Sequence, residues 1–185
     1  NNAKKYYQKA IAINSSYAPA LTNLGIIELN TGNIKEALPS LIKATKSDPQ
    51  LAPAWSNLAN GYMRLGQTEE AEIACLKAIE LNQNIFNYHF LLSNIFIEQK
   101  KLREAESPLR KTIELNPNYA EAYSNLGNIL RDLGNLQEAE ILLRKAIELN
   151  PDFAKAYSNL GVILIEIGKL QEAEILTRKA IELNP

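Results

Sequence analysis

The sequence has few of the residues that carry most enzymatic and metal chemistry. Its 185 residues include one cysteine, one histidine, one tryptophan and one methionine. A single cysteine excludes an intramolecular disulfide framework and a multi-cysteine metal site. No apolar run approaches the roughly 20 residues that a membrane-spanning helix needs. We therefore expect no metal, no cofactor and no membrane partner.

Neither sign of charge dominates the chain. It has 20 basic and 21 acidic side chains and a formal net charge of -1. This balance provides no strongly basic surface for a phosphate backbone, so nucleic acid is not expected as a partner. The hydrophobic fraction of 46% and the charged fraction of 22% are typical of a folded soluble protein. We expect a cytoplasmic location.

A repeat of 34 residues runs through the whole chain. The segment YSNLGNIL at 123–130 returns as YSNLGVIL at 157–164. The same offset aligns two columns without exception: Leu24, Leu58, Leu92, Leu126 and Leu160, and Ala37, Ala71, Ala105, Ala139 and Ala173. The columns predict five repeats, preceded by the second helix of a truncated one: residues 1–17, 18–51, 52–85, 86–119, 120–153 and 154–185.

Each repeat has the pattern of two helices. In the fourth repeat, Tyr123 and Leu126 begin an apolar stripe with three-to-four spacing. Gly134 supplies a backbone that ends this helix, Asn135 is the predicted N-cap of the next, and Pro151 stops the second helix. Small residues at Gly127 and Ala139 predict that the paired helices approach each other closely there.

This pattern resembles the tetratricopeptide repeat (TPR), and the resemblance covers the whole chain. It implies an all-α fold, a right-handed α-solenoid of helix pairs, in which the first helices line a concave groove. Such a groove binds an extended peptide or a partner protein. The middle copy departs most from the pattern, at His89, Ser93 and Lys100. The positions that match in the last copy are Tyr157, Leu160, Gly161, Leu164, Ala173, Thr177, Ala180 and Pro185.

The first helices also share asparagines. One column holds Asn23, Asn57, Asn125 and Asn159, and a second holds Asn60, Asn94 and Asn128. An amide both donates and accepts hydrogen bonds, so these side chains could pair with a peptide backbone. Alternatively, they bond neighbouring helices or a backbone carbonyl and set the spacing of the stack. The segments YSNLGN and GNLQEAE resemble the repeats of O-linked N-acetylglucosamine transferases and SPINDLY-type proteins, which implies that the first column is a peptide-binding ladder, interrupted by Leu91.

An apolar group interrupts the asparagines in the third repeat. Phe90, Leu91 and Ile97 fall on the expected groove face, where they could anchor a side chain of the partner. Alternatively, Phe90 packs on the adjacent helix pair. No cluster of Lys and Arg lies at the groove positions, which argues against a clamp for a C-terminal carboxylate. The predicted binding residues are Asn23, Asn57, Asn60, Asn94, Asn125, Asn128, Asn159, Phe90 and Ile97.

No constellation of residues indicates catalysis. His89 occupies a column of large packing residues, and Cys75 occupies a column of leucines. The paired carboxylates of the second helices recur from copy to copy, which is typical of a solvated surface: Glu104/Glu106, Glu138/Glu140 and Glu172/Glu174. We therefore interpret the chain as a non-enzymatic protein-interaction module, part of a larger protein. Two alternatives are a scaffold that associates head to tail through apolar ends, and the substrate-recruiting region of a glycosyltransferase whose catalytic domain lies elsewhere.

Overall fold

The computed structural model describes residues 2–184, which form eleven α-helices and no β-strand. The prediction of an all-α fold is confirmed. Asn1 and Pro185, which were assigned to the first and last segments of the array, lie outside the described residues. The chain forms two compact units, one up to Gln99 and one from Lys100 onward.

The first unit contains six helices, each packed against the next along the chain. Its main core lies among α2, α3, α4, α5 and α6 and includes Leu41, Leu58, Cys75 and Leu92. The helices are α1 (Asn2–Ile13), α2 (Ala18–Asn30), α3 (Ile34–Ser47), α4 (Ala52–Arg64), α5 (Thr68–Leu81) and α6 (Phe86–Glu98). The leucine and alanine columns are thus the apolar stripes that successive helices bury.

The second unit contains five helices, again packed in chain order. Leu109, Leu126, Leu143 and Leu160 are at most 1% exposed, so the same columns form its core. The helices are α7 (Leu102–Leu115), α8 (Ala120–Asp132), α9 (Leu136–Leu149), α10 (Ala154–Glu166) and α11 (Leu170–Leu183).

The turn inside each helix pair requires a left-handed residue. Gly134 has φ of 86° after α8, and glycines take the same position after α2, α4 and α10. The corresponding residue after α6 is Lys100, which has φ of 61°. A residue with a Cβ adopts this conformation at a cost of about 1–2 kcal/mol, so Lys100 is a strained position. The predicted N-cap is confirmed, because Oδ1 of Asn135 accepts the backbone N–H of Glu138.

Close helix approach is confirmed in the fourth repeat. A Cβ added to Gly127 would lie 2.9 Å from Cγ of Leu143 and 3.2 Å from the carbonyl oxygen of Ala139. The absence of a side chain at Gly127 therefore allows α8 and α9 to pack at this distance.

Candidate peptide-binding site

The first unit has a cavity of about 600 Å³ between α4 and α6. Its lining residues are Ser56, Asn57, Asn60, Met63, Ile85, Asn87, Tyr88, Phe90, Leu91 and Asn94. Six of them carry an amide or a hydroxyl group, including the phenol of Tyr88, the other four are large apolar or aromatic residues, and none carries a formal charge. The cavity can therefore hold a mixed polar and apolar ligand without requiring a charge on it.

The structure brings together four of the residues that the sequence singled out. Asn57 and Asn60 lie on α4, Asn94 and Phe90 lie on α6, and all four line the cavity. Asn23 on α2 and Ile97 on α6 belong to the same unit and are half-buried, but they are outside this lining. Asn125, Asn128 and Asn159 lie in the second unit, where each is half-buried on a first helix.

Asn57 already makes one hydrogen bond within its own helix. Its Nδ2 donates to the carbonyl oxygen of Pro53, four residues earlier, at 2.8 Å. The sequence left two roles open for these asparagines, and one of them was a hydrogen bond to a backbone carbonyl. Asn57 makes such a bond. An amide has a second N–H and an acceptor oxygen, so this bond uses only part of its hydrogen-bonding capacity.

Two asparagines of the second unit bury a polar atom without a hydrogen bond. These atoms are Oδ1 of Asn128 and Nδ2 of Asn159, and Oγ of Ser124 shares the condition. Leaving a buried polar atom unbonded costs about 1–3 kcal/mol. The helix packing therefore does not provide partners for these atoms, which distinguishes Asn128 and Asn159 from Asn57.

The apolar half of the cavity comes mainly from substitutions in the third repeat. Tyr88 stands in a column that otherwise contains Ala20, Ala54, Ala122 and Ala156, and it is 8% exposed. Phe90 stands in a column that otherwise contains threonine or serine: Thr22, Ser56, Ser124 and Ser158. Two small side chains are thus replaced by aromatic ones at this cavity.

Sequence reasoning missed several lining residues, although the repeat contained signals for two of them. Met63 occupies the same column as Ile97, one repeat earlier, so the argument that selected Ile97 applies to it. Tyr88 is the only bulky residue in an alanine column. Ile85 and Asn87 lie at the start of α6 and carry no comparable signal.

His89 and Cys75 have structural roles beside the cavity. Nε2 of His89 lies 2.8 Å from the carbonyl oxygen of Gln83, and in the preceding repeat Nε1 of Trp55 donates to the carbonyl of Pro49. The histidine thus binds the loop before its helix as the tryptophan does. Cys75 is fully buried, its thiol donates to the carbonyl of Tyr88, and burial raises its pKa to about 12. A thiol with this pKa is a poor nucleophile.

The carboxylates of the outer surface form ion pairs that join successive helix pairs. Arg110 contacts Glu106 of its own helix at 2.9 Å and Glu138 of α9 at 2.8 Å. Arg144 repeats this arrangement with Glu140 and Glu172. Each of these arginines thus joins an acid of its own helix to an acid of the next second helix.

Glu140 accepts hydrogen bonds from two cations of this network, Arg144 and Lys169. Hydrogen bonds from Lys169 and then from Arg144 keep its pKa below the usual value for glutamate, although burial acts in the opposite direction. Within residues 2–184, no group of three or more His, Cys, Asp or Glu side chains is arranged to bind a metal ion. None of the described helices has the length and apolarity needed to span a membrane.

Comparison with solved structures gives several close matches in fold. YrrB, described as a TPR protein with an unusual peptide-binding site, is 26% identical, with a TM-score of 0.81 over 97% of this chain and 92% of that chain. MamA is 26% identical, with a TM-score of 0.80 over 86% of this chain and 94% of that chain. PilF of Pseudomonas aeruginosa is 21% identical, with a TM-score of 0.83 over 91% of this chain and 77% of that chain. Curated proteins gave no significant match.

The helix pairs, the repeat columns and these similarities define a TPR protein of the protein-interaction class. Residues 1–184 match the family model of the Cilia and flagella-associated protein 70 C-terminal domain, and the chain belongs to this family.

Proposed function

We propose that the chain binds an extended peptide segment of a partner protein, and that the cavity between α4 and α6 holds an apolar side chain of that segment. The uncharged lining, which combines amide and hydroxyl groups with large apolar side chains, is the observation that carries the proposal. A volume of about 600 Å³ lies within the range of about 300–1,000 Å³ that ligand pockets occupy.

The two halves of the lining have different tasks in this proposal. Asn57, Asn60 and Asn94 pair with peptide N–H and C=O groups, which every residue of an extended segment offers. Each such bond contributes about 0.5–1.5 kcal/mol net. Met63 and Phe90 contact the apolar side chain, and burial of that side chain contributes most of the affinity. The expected ligand is therefore neutral at the contact point and has a large apolar residue flanked by an extended backbone.

One comparison and one resemblance in the sequence support a peptide ligand. YrrB, at 26% identity, is described as having a peptide-binding site. The asparagine column also resembles the ladder of O-linked N-acetylglucosamine transferases, with Asn23, Asn57, Asn125 and Asn159 as its members and Leu91 as the interruption. If the chain is part of a transferase, this groove would recruit the peptide substrate. The unbonded amide atoms of Asn128 and Asn159 favour a similar role for the second unit.

A library of fluorescent extended peptides titrated against the full chain would test the proposal. The library varies one central residue between Leu, Phe, Ser, Lys and Glu. We expect Leu and Phe peptides to bind at least tenfold more tightly than the charged ones, because a charged group cannot be paired in this cavity. Equal affinity for all central residues would refute the role of the cavity.

Variants separate the two halves of the lining. Asn60→Ala and Asn94→Ala should weaken every peptide in the library, whereas Phe90→Ser restores the residue type of the other repeats and should remove the preference for an apolar centre. Asn30→Ala is the matched control, because Asn30 is exposed at the end of α2 and outside the cavity. Peptide binding that survives all three cavity variants with native helicity would rule the site out.

A further inference from the structure

Glu28 is a buried carboxylate in a column that is otherwise apolar. It lies on α2 and is 6% exposed. The same position in the other first helices holds Tyr62, Phe96, Leu130 and Leu164. A carboxylate at such a position is tolerated only when an opposite charge reaches it. The helix that packs on this face of α2 must therefore supply a cation.

Lys4 of α1 supplies that cation. Its Nζ lies 3.3 Å from Oε1 of Glu28, while Oε2 of Glu28 is buried without a hydrogen bond. The rest of the contact is slight, because α1 has no buried residue and only half-buried Tyr7, Ala10 and Ile11 accompany Lys4. The identity of residue 4 therefore has a large influence on which helix can occupy this face.

Every other second helix of the chain lacks a cation at this position. Leu38, Glu72, Glu106, Glu140 and Glu174 follow Lys4 at successive 34-residue offsets. On α11, Glu174, Thr177 and Ile181 correspond to Lys4, Tyr7 and Ile11 of α1. These three residues line an apolar cavity of about 530 Å³ together with Ile165, Leu170, Ala173 and Arg178. The face of α11 that lines this cavity is therefore equivalent to the face of α1 that packs on α2.

Head-to-tail stacking of two copies would place α11 of one copy on α2 of the other, in the position of α1. This arrangement requires α1 to leave α2. It covers the apolar cavity, but it brings Glu174 against the buried Glu28, and the neighbouring Arg178 is already paired with Glu174 at 2.8 Å. Like charges in a partly buried contact are strongly unfavourable. We propose that Glu28 makes this face of α2 selective for a second helix with lysine at the position of Lys4, so that it accepts α1 and rejects α11 of a second copy.

Two single substitutions in the full chain test this selectivity. Lys4→Glu and Glu28→Lys both place like charges between α1 and α2, so both should speed hydrogen exchange of α1 amides by roughly tenfold. The two variants differ in how well α2 should bind α11 of a second copy. Glu174 would meet Glu28 in Lys4→Glu, whereas it would meet a lysine in Glu28→Lys. We expect light scattering after size exclusion to show concentration-dependent assembly of Glu28→Lys and a monomer for Lys4→Glu.

Two further variants protect the test against misfolding and general stickiness. Glu174→Lys changes an exposed residue and gives α11 the lysine that α1 has; added to Lys4→Glu, which loosens α1, it should turn the monomer into an assembling chain. Glu36→Lys is the control, since it makes the same charge change at an exposed site on α3 and should remain monomeric. Equal assembly of Lys4→Glu and Glu28→Lys, or a monomeric Lys4→Glu/Glu174→Lys double variant, would overturn the proposal.

Discussion

Substitution of Lys100 by glycine should stabilise the protein. Lys100 has φ of 61°, and a left-handed conformation costs a residue with a Cβ about 1–2 kcal/mol. Relief of this strain is partly offset, by about 0.5–1 kcal/mol, because glycine gives the unfolded chain more conformational freedom to lose on folding. The net increase in the free energy of unfolding is therefore about 1 kcal/mol. For a chain of this size, that corresponds to a rise of about 2–4 °C in the midpoint of thermal unfolding.

The reverse substitution gives an independent measure of the same quantity. A Cβ added to Gly134, which has φ of 86°, would meet no atom within 4 Å. The cost of Gly134→Ala therefore comes from the backbone alone, and we expect a loss of about 1 kcal/mol.

Urea unfolding followed by circular dichroism would measure both changes, with Lys100→Ala as the control. Alanine removes the charge and keeps the Cβ, so its stability should stay close to that of the native chain. If Lys100→Ala were as stabilising as Lys100→Gly, the effect would belong to the lysine side chain and the backbone argument would fail. A destabilised Lys100→Gly would refute it outright.

Three other substitutions or conditions give equally direct tests. Gly127→Ala should cost about 1–3 kcal/mol in urea unfolding because the new methyl group overlaps Leu143, and an unchanged midpoint would contradict the close approach. Cys75, with a pKa of about 12, should react with a thiol reagent only as fast as the chain opens, so rapid labelling of the native protein would contradict its burial. The Glu140 carboxylate, whose pKa is lowered chiefly by Lys169, should contribute stability that is complete above the ordinary glutamate pKa and lost as pH falls through the lower folded value; Glu140→Gln should flatten this acid limb in urea unfolding at a series of pH values.

The repeat made most of the fold predictable. Equivalent positions in the repeats have the same surroundings, so one residue type recurs in each column. A column such as Leu126 and its equivalents therefore identifies a buried helix face even when the neighbouring helices are unknown. The glycine column likewise predicted the turn after α8, and Lys100 stood out as its exception. Gly127 predicted the close approach of α8 and α9, because a residue without a side chain has few other roles inside an apolar stripe.

The candidate site was less predictable because it arises where the columns fail. Tyr88 enlarges an alanine position and Phe90 enlarges a serine position, and only the packed helices show that both contribute to one cavity. The orientation of the Asn57 amide depends on the carbonyl that Pro53 presents, which no column records. The contact of Arg110 with Glu138 depends on the offset between two second helices, and that offset is set by packing.

The distribution of charge gives the molecule two responses to salt. Ionic contacts such as that of Arg144 with Glu172 lie on the outer face of the second unit, whereas the cavity of the first unit has no ionised side chain in its lining. Dissolved ions screen exposed charge pairs and have little effect on neutral contacts. Raising the ionic strength should therefore weaken the ionic contacts between neighbouring helix pairs and leave the peptide affinity nearly constant. A single salt titration of stability and of peptide binding could separate these two contributions.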